Sequence, residues 1–151
     1  MTRLLLFISG IGLFIQVVHA TEPLVLPDVS GVSQDLQTDF GEGKSVVLVF
    51  WAPWCGSCAK EAPEMVKAYK MYTEKASFYG VVTGTDKLVN EKKVQKFITR
   101  YEVNYPTLRD REAVWAKRFQ VRGTPTIIVL NSEGSEVFRG HHPPAKWQDV
   151  L

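Results

Sequence analysis

Residues 46–50 read Val-Val-Leu-Val-Phe, five apolar positions with no polar alternation. A short run of β-branched and aromatic residues is the pattern of a strand buried on both faces. It predicts a central strand over 46–51. From Cys58 the period changes. Ala62, Met65, Val66, Tyr69 and Tyr72 recur at three- and four-residue spacing, with lysines between them, which predicts an amphipathic helix. Pro63 falls inside that helix and should kink it. Phe78, Val81 and Val82 mark a second strand over 77–83. Strand, helix and strand in this order form a βαβ unit, parallel and right-handed.

The second half of the chain repeats these signals. Val94, Phe97, Ile98 and Tyr101 predict one face of a helix over 90–101, followed by an extended piece over 105–108 and a third helix over 112–119. Ile127-Ile128-Val129-Leu130 is another buried strand. Asn131-Ser132-Glu133-Gly134 is a hairpin turn, so residues 136–139 pair back antiparallel. A short last helix is expected from Pro144 to Leu151, with Trp147, Val150 and Leu151 on one side. Ahead of the first strong strand, residues 21–43 form an N-terminal extension with a short strand at Leu24-Val25-Leu26 and turn signals at Pro27-Asp28 and Ser30-Gly31.

Residues 1–20 follow a different plan. Arg3 precedes a mostly apolar run over 4–18, broken by Ser9, Gly10, Gly12 and Gln16, and Val18-His19-Ala20 places small residues at −3 and −1 of a cut after Ala20. This is the plan of a secretory signal peptide, and the apolar run falls short of a spanning helix. The alternative is an uncleaved anchor formed by residues 4–18. Export would carry the rest of the chain to a periplasmic or similar oxidising compartment, where disulfides persist.

Of the 151 residues 45% are hydrophobic and 23% charged, ordinary values for one globular domain. The formal net charge is +2; removing residues 1–20 takes away one basic residue and no acid, leaving +1. No Lys/Arg cluster stands out along the sequence, so nucleic acid is not an implied partner.

Cys55 and Cys58 are the only cysteines, and they stand two residues apart where the buried strand gives way to the helix. A loop so short constrains the unfolded chain little. Placement at a strand-to-helix junction is the sequence form of a redox dithiol rather than a structural staple.

Trp54-Cys55-Gly56-Ser57-Cys58, Pro63 five residues later, and Gly123-Thr124-Pro125-Thr126 ahead of a buried strand together resemble the thioredoxin family. The resemblance covers about residues 44–151, an expected thioredoxin-like domain, and implies an α/β fold: a central mixed sheet flanked by helices. Three features resemble the exported TlpA/ResA-like branch. They are the signal segment, the N-terminal extension, and Cys58-Ala59-Lys60-Glu61-Ala62-Pro63. Residues 83–105 look like that branch's central insertion. The resemblance implies a cis Pro125, whose neighbour Thr124 would offer its backbone to an extended substrate. Val49 stands where thioredoxin carries a buried aspartate, and Glu61 is the candidate replacement.

In that frame Cys55 sits at the helix N-terminus, where unpaired N–H groups and the helix dipole stabilise a thiolate. Cys55 is then the nucleophile and Cys58 the resolving thiol. Glu61, three residues after Cys58, shares its helix face and would take or return its proton. Trp54 would present a flat apolar surface to partners, and Trp51 belongs to the core. No cofactor is implied. The expected partners are protein thiols and disulfides, apocytochrome c among them, with a membrane electron donor restoring the reduced state. Gly56-Ser57 lacks both the stiffening proline of thioredoxin and the histidine of oxidising relatives, which predicts a reducing to intermediate potential. The alternative is a metal-binding or adaptor module that uses the cysteines as ligands. His141-His142 invites that reading, but adjacent histidines chelate poorly with distant thiolates and are expected to be solvated loop residues.

Overall fold

The computed structural model describes residues 23–151. The expected signal segment lies outside the described residues. The elements are β1 (Val25–Pro27), β2 (Ser33–Asp35), α1 (Leu36–Gly41), β3 (Ser45–Phe50), α2 (Gly56–Tyr72), β4 (Ala76–Thr83), α3 (Glu91–Arg100), β5 (Thr107–Asp110), α4 (Val114–Arg118), β6 (Thr126–Leu130) and β7 (Glu136–Gly140).

One five-stranded sheet runs in the order β5-β4-β3-β6-β7. β3 is parallel to β4, and β4 to β5; β6 is antiparallel to β3 and to β7. The buried run at 46–50 is thus the middle strand, and the period of two decides which side chain faces which layer. Val47, Val49 and, just past the strand, Trp51 join the core under α2 and α3, with Met65, Phe78 and Phe97. Val46, Leu48 and Phe50 join the opposite core with Leu24, Leu36 and Trp115. Every residue of β3 is buried, which explains the absence of alternation.

The extension holds more structure than the one strand expected there. β1 and β2 form an antiparallel hairpin, and α1 follows with Asp35 capping its first turn by accepting from the Gln37 N–H. The hairpin lies along β5: Asp28 bridges Leu108, and the Val29 N–H donates to the Thr107 carbonyl at 2.8 Å. This covers a sheet edge that would otherwise expose unpaired backbone. Within α1, buried Asp39 accepts from the Ser77 hydroxyl at 2.6 Å and the Tyr79 hydroxyl at 2.8 Å. Burial, then the Asp39 acceptor, push the Tyr79 phenol well above its ordinary range, so it stays a donor.

Two helices are shorter than expected. The one foreseen over 112–119 is α4, five residues long, because Ala113 adopts a left-handed φ of 57° and delays its start. Buried Asp110 serves that end instead, accepting from the Trp115 and Ala116 N–H groups. The helix expected from Pro144 to Leu151 is a single 3₁₀ turn at Trp147–Asp149. Buried Trp147 anchors it against Phe78, with ring centroids 5.6 Å apart.

Candidate active site

The chain leaves β3, passes Trp51, and turns into α2 with Cys55 as the N-cap. Cys55 is extended (φ −79°, ψ 104°), and its Sγ accepts from the Cys58 N–H at 3.1 Å. Cys55 and Cys58 are joined as a disulfide, with Cα atoms 5.2 Å apart. The two sulfurs differ in access. Cys58 is buried, Cys55 is half-buried, and Trp54 beside it is 63% exposed. After reduction the Cys58 N–H would face a thiolate at Cys55, and such a donor favours the charged form.

Trp51 fixes the floor. Its ring stacks on Phe97 of α3 with centroids 4.3 Å apart. Its indole edge can approach β4 closely because residue 80 is glycine: a Cβ there would fall 2.7 Å from Trp51 Nε1.

The loop before β6 forms the opposite wall. The Thr124–Pro125 peptide is cis, Pro125 is buried and Thr124 is exposed. The Thr126 hydroxyl donates to the Gly123 carbonyl at 2.7 Å and holds the loop. The Thr124 backbone has no hydrogen-bond partner among the described residues.

Behind the disulfide lies a small apolar cavity lined by Val49, Cys58, Glu61, Phe97, Tyr105 and Pro125. Glu61 and Val49 therefore border one space. Burial pushes the Tyr105 phenol well above its ordinary range, so it stays neutral and cannot serve as a base.

His141 and His142 add contacts to the sequence reading. They are exposed, as expected, but they are not idle. His141 Nδ1 lies 2.7 Å from the Pro125 carbonyl, which only accepts, so Nδ1 carries the proton. His142 Nδ1 lies 2.8 Å from Glu61 Oε1, with side-chain exposures of 79% and 22%. One dipeptide at the end of β7 thus holds both the proline loop and the glutamate. The signal that could have found it is strand register. Ile127 pairs with Gly140, which brings the next residue, His141, beside Pro125. Among the described residues no group of three or more His, Cys, Asp or Glu side chains converges to hold a metal ion.

A mixed five-stranded sheet, a Cys-x-x-Cys disulfide at the start of the helix after its central strand, and a cis-proline facing the pair define a thioredoxin-fold protein. The chain belongs to the AhpC/TSA family, whose model matches residues 19–135. It is 36% identical over 110 residues to the thioredoxin-like protein YneN of Bacillus subtilis, covering 72% of this chain and 62% of that protein. It is 33% identical over 117 residues to the thiol-disulfide oxidoreductase ResA of Halalkalibacterium halodurans, covering 78% of this chain and 63% of that protein. The chain thus spans just over three-fifths of the length of these curated relatives. The crystal structure of a secreted Mycobacterium tuberculosis disulfide oxidoreductase homologous to Escherichia coli DsbE superposes with a TM-score of 0.67 at 27% identity, covering 83% of this chain and 88% of that one.

Proposed function

We propose that this chain is an exported thiol-disulfide oxidoreductase that reduces protein disulfides through Cys55 and Cys58. The observation that carries the reading is the unequal burial of two bonded sulfurs at a helix N-terminus. The Cys55 thiolate attacks one sulfur of the substrate disulfide, forms a mixed disulfide and releases the other as thiolate. The Cys58 thiolate then attacks the Cys55 sulfur, closes the bond seen here, and releases the second substrate thiol. Two electrons and two protons pass to the substrate, and a membrane dithiol donor would return them. Thr124 offers its backbone to the substrate chain, and Trp54 covers the attacking sulfur.

Glu61 exchanges the Cys58 proton from across the cavity, and His142 positions Glu61. Oxidising relatives carry a histidine between the cysteines where this chain has Gly56-Ser57, which supports a reducing to intermediate potential. Apocytochrome c is a candidate substrate on the strength of the TlpA/ResA resemblance. Likeness to ResA and to a secreted oxidoreductase supports residues 1–20 as the export signal of the domain over 44–151. No helix among the described residues is long and apolar enough to cross a membrane.

The test is paired variants. Cys55→Ser is expected to abolish reduction of insulin, and Cys58→Ser to accumulate mixed disulfides that mass spectrometry identifies. Turnover surviving in Cys55→Ser, or stoichiometric zinc or copper held by the cysteines with no reductase activity, would overturn the reading in favour of a metal-binding module.

A further inference from the structure

Beside the attacking sulfur an open groove of about 410 Å³ separates the start of α2 from α3. Trp54, Cys55 and Ala59 form one bank, and Lys93, Lys96 and Arg100 the other. Phe97 and Tyr101 line it as well, and none of its lining residues is acidic. The three cations follow helical spacing on α3, so they form one stripe. The stripe is local to one helix, and folding sets it against Cys55. All three are exposed, and neither lysine ammonium has an acidic partner among the described residues. Arg100 lies 5.6 Å from the centre of the Tyr101 ring.

Two acids on the N-terminal side of the stripe are committed elsewhere, while Glu102, just after Arg100, lines the adjoining depression. Glu91, at the start of α3, pairs with Arg109 at 3.1 Å, and Asp86 pairs with Arg111 at 2.9 Å. Beyond Arg100 and Tyr101 a second depression continues past Pro63, where Lys67 and Lys70 face a single acid, Glu102. A positive track therefore runs from Cys55 along the outer side of α2.

We propose that the substrate carries an acidic stretch flanking its disulfide and that this stretch binds in the groove between α2 and α3. The proposal rests on the reading of Cys55 as nucleophile. The chemistry at Cys55 requires a cysteine-bearing partner, and the chain next to that cysteine must leave through this groove or over the proline loop. In the groove it meets three cations and exposed aromatic surface. Complementary charge there raises the encounter rate and selects orientation, with little change in the chemical step.

The experiment uses disulfide-linked peptide pairs that differ only in residues flanking the cysteines: four acidic, four neutral or four lysines. The rate constant for reduction by the reduced protein is measured at low and high salt. The acidic pair is expected to react about tenfold faster than the neutral pair at low salt, the lysine pair slower, and the spread to collapse at high salt. Combined Lys93→Gln, Lys96→Gln and Arg100→Gln is expected to erase the acidic preference. Combined Lys75→Gln, Lys117→Gln and Lys146→Gln, which removes the same charge elsewhere, is expected to keep it. Equal rates for acidic and neutral pairs, or equal loss in both variants, would overturn the proposal while leaving the reductase reading intact. Failure to reduce any pair would overturn both.

Discussion

His142 Nδ1 sits 2.8 Å from Glu61 Oε1, although 81 residues separate them in the chain. A ring nitrogen that donates to a carboxylate fixes its rotamer, and a fixed carboxylate holds its distance to the cavity beside Cys58. His142→Ala should therefore act through Glu61. The rate constant of disulfide reduction is expected to fall several-fold in Glu61→Gln, about 10²-fold at most for a general acid–base group, and to fall by less in His142→Ala, which keeps the carboxylate but loses its positioning. Thermal stability should change little in His142→Ala, since His142 is largely exposed. Stopped-flow rates decide this; rates unchanged in both variants would leave Glu61 without a part in the chemistry.

Gly80→Ala tests the floor of the site. The added methyl would meet Trp51 Nε1 at 2.7 Å and Thr107 Oγ1 at 3.2 Å. Trp51 must then lift from β4 and slide on Phe97. The expected cost is about 1–3 kcal/mol, as for other overpacked cores, read as a lower midpoint in guanidinium. Reduction should slow as well, because Trp51 leads directly into the cysteine loop.

Arg109 ties α3 to the sheet. Fully buried, it donates to the Val82 carbonyl at 2.7 Å and the Gly84 carbonyl at 3.3 Å, and it pairs with Glu91. Arg109→Met keeps the volume and removes the donors. Stranding a buried carbonyl costs about 1–3 kcal/mol, and hydrogen exchange should quicken first across 84–100.

Asp28 gives a pH signature in the extension. It accepts from the Ser30 side chain and from the Ser30 and Val32 N–H groups, and the Ser30 hydroxyl, set against partial burial, leads in lowering its pKa below 3.8. A lowered carboxyl stabilises the fold above its unfolded value and loses that contribution as pH falls through the folded value. Asp28→Asn should thus be less stable than the parent at neutral pH, and the gap should close below about pH 4. Chemical denaturation at several pH values checks it.

Sequence made the centre of the fold legible. Val46–Phe50 announced a two-sided strand, and Cys55, Cys58 and Pro125 announced the walls of the site. What it hid lies in relations between segments. Asp110 was not seen as the group that serves α4, because its acceptors point forward past a left-handed Ala113 that no local propensity predicts. The histidines lie in an exposed loop, as adjacency and composition imply, but their contacts with Pro125 and Glu61 depend on the hairpin register, which no local pattern encodes. The single turn at Trp147 failed as a helix because one tryptophan buried against Phe78, rather than a continuous apolar face, holds that segment.

The hairpin of β6 and β7 also sets an order of events. Cys55 and Cys58 meet within one helical turn and can oxidise as soon as α2 forms. Their companions arrive only when the last strand pairs and brings His141 and His142 home. Contacts so distant in sequence form late, because loop closure must come first. A chain halted before β7 would present a competent nucleophile without the histidine contacts to the proline loop and the glutamate. Productive turnover thus reports completed folding, and a half-folded chain would be the most indiscriminate thiol reagent this protein can become.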